Sequence, residues 1–304
     1  MTNFCEGRVA IVTGAGRGIG REHALMLAAH GAFVLVNDVG VERDGRGPDK
    51  SLANSVAQEI RDFGGQAVAN SSDVSDFGSA REMVKEAVDT WGHLDVLVNN
   101  AGILRDRMLV NMEESEWDAV IGVHLKGTFA PAHHAASYWR EETKKGIAVD
   151  ARIINTTSVS GIYGNPGQTN YGAAKAGIAA FTVIAARELG RYGITVNAVA
   201  PGALTRMTED LISEEITEEV REARSPKWIA PIVTWLASTE SRGITGRVFE
   251  ANGKLLAVAE GWERGPTIPA IADPTEIGSA VADLVSQARL NSGMNGKGQD
   301  GGVS

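Results

Sequence analysis

The sequence predicts a single doubly wound α/β domain, a mostly seven-stranded parallel sheet with helices on both faces, plus a C-terminal extension. Three observations carry this. Short apolar runs recur from Val9 to Phe249, and most do not alternate with polar residues. Strands buried on both faces read that way. Helical patterns separate the runs, and repeated β-α units with right-handed crossovers make one parallel sheet. The first run also feeds a glycine-rich turn and then a helix, as at the phosphate end of such sheets.

Taken in order, Val9–Val12 precedes a helix over Ile19–His30. Phe33–Val36 precedes Leu52–Phe63, and Ala67–Ala69 precedes Gly78–Trp91. Val96–Val98 is followed by one long helical pattern, Glu113–Trp139. Ile153–Ile154 leads to Gly172–Leu189, which is rich in apolar residues such as Ile178, Phe181 and Ile184. Thr195–Val199 leads into an acidic stretch, Thr205–Arg224, then a helix over Lys227–Ser238 and a last strand at Val248–Phe249. Residues 1–252 are expected as one domain, with 205–226 either a lid over a site or a solvated helical insertion. Residues 253–304 form the extension. It holds Leu255, Leu256 and Trp262, an expected helix at Glu276–Leu290, and a Gly/Asn/Ser-rich tail expected to be flexible from about residue 291.

Composition narrows the function. The 304 residues include 29 Lys+Arg and 38 Asp+Glu, a net charge of -9. No basic stripe is present for phosphate backbones or anionic lipid, so neither nucleic acid nor membrane is an expected partner. No apolar run approaches the ~18 residues of a spanning helix. Cys5 is the only cysteine, which excludes an intrachain disulfide. The first residues carry no leader pattern and the last three are not a peroxisomal tripeptide, so a cytoplasmic location is expected. No carboxylate or Cys cluster accompanies His133 and His134, so no metal is expected.

The turn Thr13-Gly14-Ala15-Gly16-Arg17-Gly18-Ile19-Gly20 suits a pyrophosphate. Gly14 allows the tight turn, Gly18 close backbone approach, and Gly20 packing of helix on strand. The helix start then offers N–H groups and a positive dipole end. Asp38 ends the second strand 18 residues after Gly20. A carboxylate there would bond the adenosine ribose hydroxyls and repel a 2′-phosphate, which favours NAD over NADP. Arg17 pulls the other way, because it could reach a 2′-phosphate.

Tyr171 and Lys175 lie four residues apart, on one face of a helix. Ser158 follows the Ile153–Ile154 strand, at the end where sites collect in open α/β sheets. With the glycine turn, Asn99-Asn100-Ala101-Gly102 and Pro201-Gly202, these residues fall in the order and spacing of the short-chain dehydrogenase/reductase family, over about residues 6–252. Asn37-Asp38-Val39-Gly40, Gly102–Arg107, Val123–Gly127, Ser160–Gly164 and Trp262-Glu263-Arg264 resemble one branch of it. That branch holds the (3R)-hydroxyacyl-CoA and 17β-hydroxysteroid dehydrogenase domain of peroxisomal multifunctional enzyme type 2 and its bacterial stand-alone relatives.

The resemblance implies a Rossmann-type dehydrogenase that interconverts a secondary alcohol and a ketone, a 3-hydroxyacyl-CoA first. A hydroxysteroid or steroid-derived CoA ester is an alternative, and so is NADPH-dependent 3-oxoacyl reduction. It makes Tyr171 the acid/base, Lys175 its electrostatic partner and a nicotinamide-ribose ligand, and Ser158 the substrate-oxygen donor. With Lys175 and oxidised NAD both favouring phenolate, the Tyr171 midpoint is expected well below 10. Asp73 resembles the adenine contact, and Asn99 a structural residue of the adenine pocket. Ile19, Val74, Asn100, Ala101, Gly102, Pro201, Gly202 and Leu204 fall in the cofactor-binding set. His124 stands where many members carry a relay Asn. It is either part of the relay, adding an inflection near 6.5, or a buried packing residue. The Thr of Pro201–Thr205 comes one residue later than usual, so Thr205 is not expected as the nicotinamide contact. Arg206, Arg221, Arg224 and Lys227 could form a basic edge for an acyl-CoA. The family also packs the Gly172–Leu189 helix across a homodimer or homotetramer interface.

Overall fold

The structure, a computed structural model, describes residues 3–40, 51–203 and 217–298. A first compact unit spans Met1–Ala259 and a second Glu260–Ser304.

Eight strands build one sheet in the order β3-β2-β1-β4-β5-β6-β7-β8. They are β1 Val9–Thr13, β2 Phe33–Asn37, β3 Gln66–Asn70, β4 Val96–Asn99, β5 Ala151–Thr156, β6 Ile194–Pro201, β7 Val248–Asn252 and β8 Leu255–Ala259. β1 to β7 are parallel; β8 turns back and pairs antiparallel with β7. The sheet thus exceeds the expected seven strands by one. Leu255 and Leu256 are exposed on an edge that shields one partner only, and so short a run leaves little periodicity to read.

Alternate residues of a strand serve opposite faces. Val12, Val34 and Val36 pack with Leu27 of α1 (Gly18–Ala29), Ile60 of α2 (Ser51–Asp62) and Leu236 of α9 (Ala230–Ala237). Ile11, Leu35 and Leu97 pack on the other side with Met83 of α3 (Phe77–Trp91) and Trp139 of α5 (Gly127–Lys144). The face is completed by Ala185 of α7 (Thr169–Leu189). Order reverses between β1 and β4, so a crevice opens beyond their carboxyl ends.

The Glu113–Trp139 pattern is not one helix. α4 (Glu114–Ile121) passes through a π turn, Gly122–Lys126, into α5. Two further short helices escape the pattern: α6 (Val159–Tyr163) and α8 (Glu218–Ala223). In the second unit, α10 spans Ile277–Gln287, close to the expected helix, and none of its residues is buried.

The amino ends of the strands are tied by one carboxylate. Asp150 accepts from Arg152 Nη1 at 2.7 Å and Arg242 Nε at 3.2 Å, with Arg8 Nη1 at 3.5 Å. Burial pushes the Asp150 carboxyl up, but the bonds from Arg242 and Arg152 and the Arg charges outweigh it and bring it to about 2. Arg152 is fully buried. Asp150→Ala strands that charge and is expected to cost about 3–5 kcal/mol at neutral pH. The sign follows from the folded value lying below the unfolded one of ~3.9. The contribution is full above that value and is lost as pH falls through about 2. Urea unfolding at several pH values checks it: equal midpoints at pH 7 would refute the assignment.

Candidate active site

β1 runs into Gly14 at φ 63°, and α1 opens at Gly18 with φ 56°. A Cβ on Gly14 would lie 2.7 Å from Ala101 Cα, and one on Gly20 2.2 Å from the Gly14 carbonyl oxygen. Neither position admits a side chain. Thr13 Oγ1 accepts from the amides of Asn100 (2.9 Å) and Ala101 (3.1 Å), and Asn100 Nδ2 donates to the Thr13 and Gly14 carbonyls. These bonds lock the β1 and β4 turns together at the switch point. Arg17 is the extended N-cap of α1 and makes no side-chain cap bond, and Ile19 follows it half-buried. The first amides of α1 are therefore not consumed by a cap, which fits a pyrophosphate.

Asp38 lies beyond β2 against this turn. Its Oδ2 accepts from Gly16 N at 2.8 Å and its Oδ1 from Gly40 N at 2.7 Å. Asp73 is exposed and accepts from Ser75 N and Oγ, while Val74 is buried beside Gly127. Asn99 donates to Asn155 Oδ1 at 3.0 Å, and its own Oδ1 is buried with no hydrogen-bond partner among the described residues. An unsatisfied buried acceptor beside the cradle is consistent with a ligand group completing it. Pro201 ends β6, and Gly202 N donates to the Ala251 carbonyl at 2.8 Å. Leu204, Thr205, Arg206 and the rest of the acidic stretch to residue 216 lie outside the described residues.

The second cluster forms where β5 ends. Thr157 Oγ1 donates to the Lys175 carbonyl at 2.6 Å, and Lys175 Nζ donates to the Thr156 carbonyl at 2.6 Å. Ser158 caps α6, its Oγ accepting from Ser160 N at 3.1 Å. With that lone pair engaged, the hydroxyl proton is available to another acceptor. Lys175 Nζ stands 5.6 Å from the Tyr171 ring centre. α6 can approach α7 this closely because a Cβ on Gly161 would lie 2.5 Å from Ala176 N. The structure thus brings Ser158, Tyr171 and Lys175 together.

Without cofactor, burial dominates the protonation of both Tyr171 and Lys175. Burial pushes the Tyr171 phenol up to about 12, with the Ser158 hydroxyl opposing and the Asp106 charge adding. Burial pulls Lys175 down to about 7. The expected phenol midpoint well below 10 therefore does not come from the protein's own groups. The ammonium that was to depress it is itself desolvated.

The π turn aims His124 inward, where it is 2% exposed. Its Nε2 lies 2.7 Å from the Ile103 carbonyl oxygen and 3.1 Å from Ile103 N. Its ring meets Tyr171 edge-on at 5.1 Å. A Cβ on Gly102 would lie 2.4 Å from His124 Cε1, so the glycine is required by the imidazole. Burial, helped by the Lys175 charge, drives His124 down to about 3. A ring lowered this far supports the packing alternative over a relay inflection near 6.5.

Asn170 escaped the sequence reading. Its Nδ2 donates to the Arg105 and Glu116 carbonyls (2.9 and 3.3 Å), and its Oδ1 accepts from Tyr171 N at 2.7 Å. It pins the segment after β4 to the start of α7. The only signal in the sequence was an Asn directly before Tyr171. Among the described residues no three His, Cys, Asp or Glu could hold a metal, and no helix is long and apolar enough to cross a membrane.

A glycine cradle at the switch point and a Ser–Tyr–Lys cluster across the crevice define a nucleotide-dependent dehydrogenase class. The chain matches the family described as short chain dehydrogenase over residues 8–216. It is 41% identical over 289 residues to the hydroxyacyl-CoA dehydrogenase ChsB1 of Mycobacterium tuberculosis, covering 93% of this chain and 90% of that one. Mouse peroxisomal multifunctional enzyme type 2 is 42% identical over 257 residues, 84% of this chain but 32% of that longer protein. A 3-oxoacyl-[acyl-carrier-protein] reductase, FabG of Staphylococcus aureus, is 43% identical over 80% of this chain and 96% of its own. The crystal structure of a short chain dehydrogenase from Mycobacterium avium superimposes with a TM-score of 0.86 at 53% identity, covering 95% of this chain and 98% of that one. The chain belongs to the short-chain dehydrogenase/reductase family. It is an oxidoreductase acting on CH–OH groups, of a family that binds NAD(P).

Proposed function

We propose that this enzyme oxidises the 3-hydroxyl of a 3-hydroxyacyl-CoA with NAD. The observation that carries the chemistry is the meeting of Ser158, Tyr171 and Lys175 at the carboxyl end of β5. Ser158 donates to the substrate oxygen, and Tyr171 takes the hydroxyl proton as general base. Lys175 supplies positive charge beside the phenol and is placed to hold the nicotinamide ribose. NAD would supply the acceptor for the hydride that leaves the carbinol carbon. Gly14, Gly18, Gly20 and the start of α1 would hold its pyrophosphate, with Asp38 on the adenosine ribose and Asp73, Val74 and Asn99 around the adenine. Asn100, Ala101, Gly102, Pro201 and Gly202 complete the wall.

The acyl preference is supported by the relatives' names and by a turn after β4. Met108, Leu109 and Val110 are 57%, 64% and 89% exposed. The turn is nonetheless held firmly: Arg107 N donates to the Gly167 carbonyl at 2.8 Å, and Arg107 pairs with Glu116 at 2.8 Å. A fixed apolar turn beside the segment leading to Tyr171 suits an acyl chain or a steroid better than a small alcohol. The basic edge is weaker support, because Lys227 pairs with Glu222 at 2.6 Å. The FabG likeness and Arg17 favour a second reading, NADPH-dependent 3-oxoacyl reduction.

The family resemblance supports a homodimer or homotetramer through α7, where Ile184 is 57% exposed. A cytoplasmic location is part of this reading; Cys5, the one cysteine, is free and buried.

Kinetics with acyl-CoA and steroid alcohols and both cofactors test this. A 3-hydroxyacyl-CoA with NAD is expected to lead, with at least about tenfold higher kcat/KM than with NADP, since the Asp38 carboxylate opposes a 2′-phosphate. Asp38→Asn is expected to narrow that ratio. Equal use of NADP would hand the preference to Arg17, and faster turnover of a steroid alcohol would displace the acyl-CoA.

A further inference from the structure

Tyr163 ends α6, the one-turn helix that Ser158 caps, and its hydroxyl donates to Glu250 Oε1. The partners are 87 residues apart. Glu250 sits within β7, held on both sides by pairing with Ala200 of β6 and Ala257 of β8. The next residue, Ala251, accepts the amide of Gly202, on the nicotinamide side of the proposed site. A single side-chain bond therefore links the helix that presents Ser158 to the strand that holds the Pro201–Gly202 turn.

α6 packs closely along α7, and Tyr163 adds a hold at its far end. Its start is closed by the Ser158 cap, and its middle rests on α7 at Gly161. Gly164, at φ 83°, ends it, so the chain beyond cannot continue the helix and brace it. Five residues make little more than one turn, which does not hold its own shape in water. The far end of this lever is fixed by Tyr163 and Glu250. Burial and the Glu250 bond push the Tyr163 phenol up to about 12, so the bond keeps its donor throughout the neutral range.

We propose that the Tyr163–Glu250 bond is a positioning latch that holds α6, and through it the Ser158 hydroxyl, in register with the cofactor side of the site. It rests on the reading of Ser158 as the substrate-oxygen donor. Tyr163 touches no reacting atom in this scheme; it acts through Ser158.

The test is a mutant cycle on the full-length protein, with kcat, KM and NADH affinity measured for each variant. Tyr163→Phe removes one oxygen and is expected to lower kcat about tenfold, with NADH affinity unchanged. Glu250→Ala should match it. Glu250→Gln keeps an acceptor for the phenol and should recover most of the rate. Because the latch acts through Ser158, Tyr163→Phe should cost nothing further in a Ser158→Ala background. Hydrogen exchange of the Ile162 and Gly164 amides should quicken in Tyr163→Phe while the melting temperature barely moves. The pH profile should keep its shape, because Tyr163 does not titrate in the assay range. A wild-type kcat in Tyr163→Phe, with Ser158→Ala strongly impaired, overturns the latch alone. An undiminished Tyr163→Phe effect in the Ser158→Ala background also overturns it. Full activity in Ser158→Ala overturns the role of Ser158, and the latch with it.

Discussion

Tyr171→Phe is expected to lower turnover by about 10²–10⁴-fold, the range for losing a positioned acid/base group, while NADH affinity stays nearly intact. The change removes one oxygen, and that oxygen acts on substrate. Tyr171 also has two roles of opposite sign. Oxidation needs the phenolate, so its rate should rise with pH; reduction needs the phenol, so its rate should fall over the same window. In the free protein burial holds the phenol at about 12, so absorbance titration should find Tyr171 protonated well past neutrality. Any lower midpoint in turnover must come from the positive charge of oxidised cofactor, together with Lys175 in its charged form. Substantial residual turnover in Tyr171→Phe, or one shared pH profile for both directions, would remove Tyr171 from this role. His124→Asn should leave no inflection missing near 6.5, because the native ring is already neutral at that pH.

Lys175→Met is expected to abolish turnover and weaken cofactor binding while making the cofactor-free fold more stable below neutral pH. The native chain carries a desolvated ammonium whose pKa has dropped from 10.5 to about 7. Unfolding restores the higher value, so between those limits the unfolded chain binds the extra proton. Stability of the native protein therefore rises with pH across that window. Below about 7 the full cost of the buried charge is present, at most about 5 kcal/mol from the span of the two values. Above 10.5 it is gone, because both states are neutral. Met removes the charge and keeps most of the volume, at the loss of one hydrogen bond to Thr156. The stability gap between variant and native protein should therefore be largest near pH 6 and close toward pH 10. Denaturant melts across that range measure it; a variant less stable at pH 6 would show that the ammonium is not a burden on the fold.

The two predictions draw on different layers of the molecule. That Tyr171 and Lys175 share a helix face is local: four residues in α7 set it, and the spacing alone reveals it. That one is driven up and the other down is not local. It depends on how β5, α6 and the segment after β4 close over them. The same division runs through the site. Gly14 and Gly20 were legible as a phosphate turn, and the structure gives the steric reason, an Ala101 Cα and a Gly14 carbonyl where their Cβ atoms would lie. Gly102 was legible only as part of a motif, because its reason, the imidazole of His124, comes 22 residues later across a π turn that helical periodicity cannot reveal.

By itself the sequence determined the β-α order, the two-sided burial of β1, β2, β4, β5 and β6, the cradle after β1, and the Tyr171–Lys175 spacing. All of these arise from neighbours along the chain, whose periodicity and steric needs act over a few residues. Only the tertiary structure decided the eighth strand, the π turn, the neutral state of His124, the three-arginine tie on Asp150 and the Tyr163–Glu250 bond. Each of these depends on what a side chain meets from a distant part of the chain, and on how far water is excluded there. Desolvation and partner geometry belong to the packed assembly of elements, and no single segment of sequence carries them.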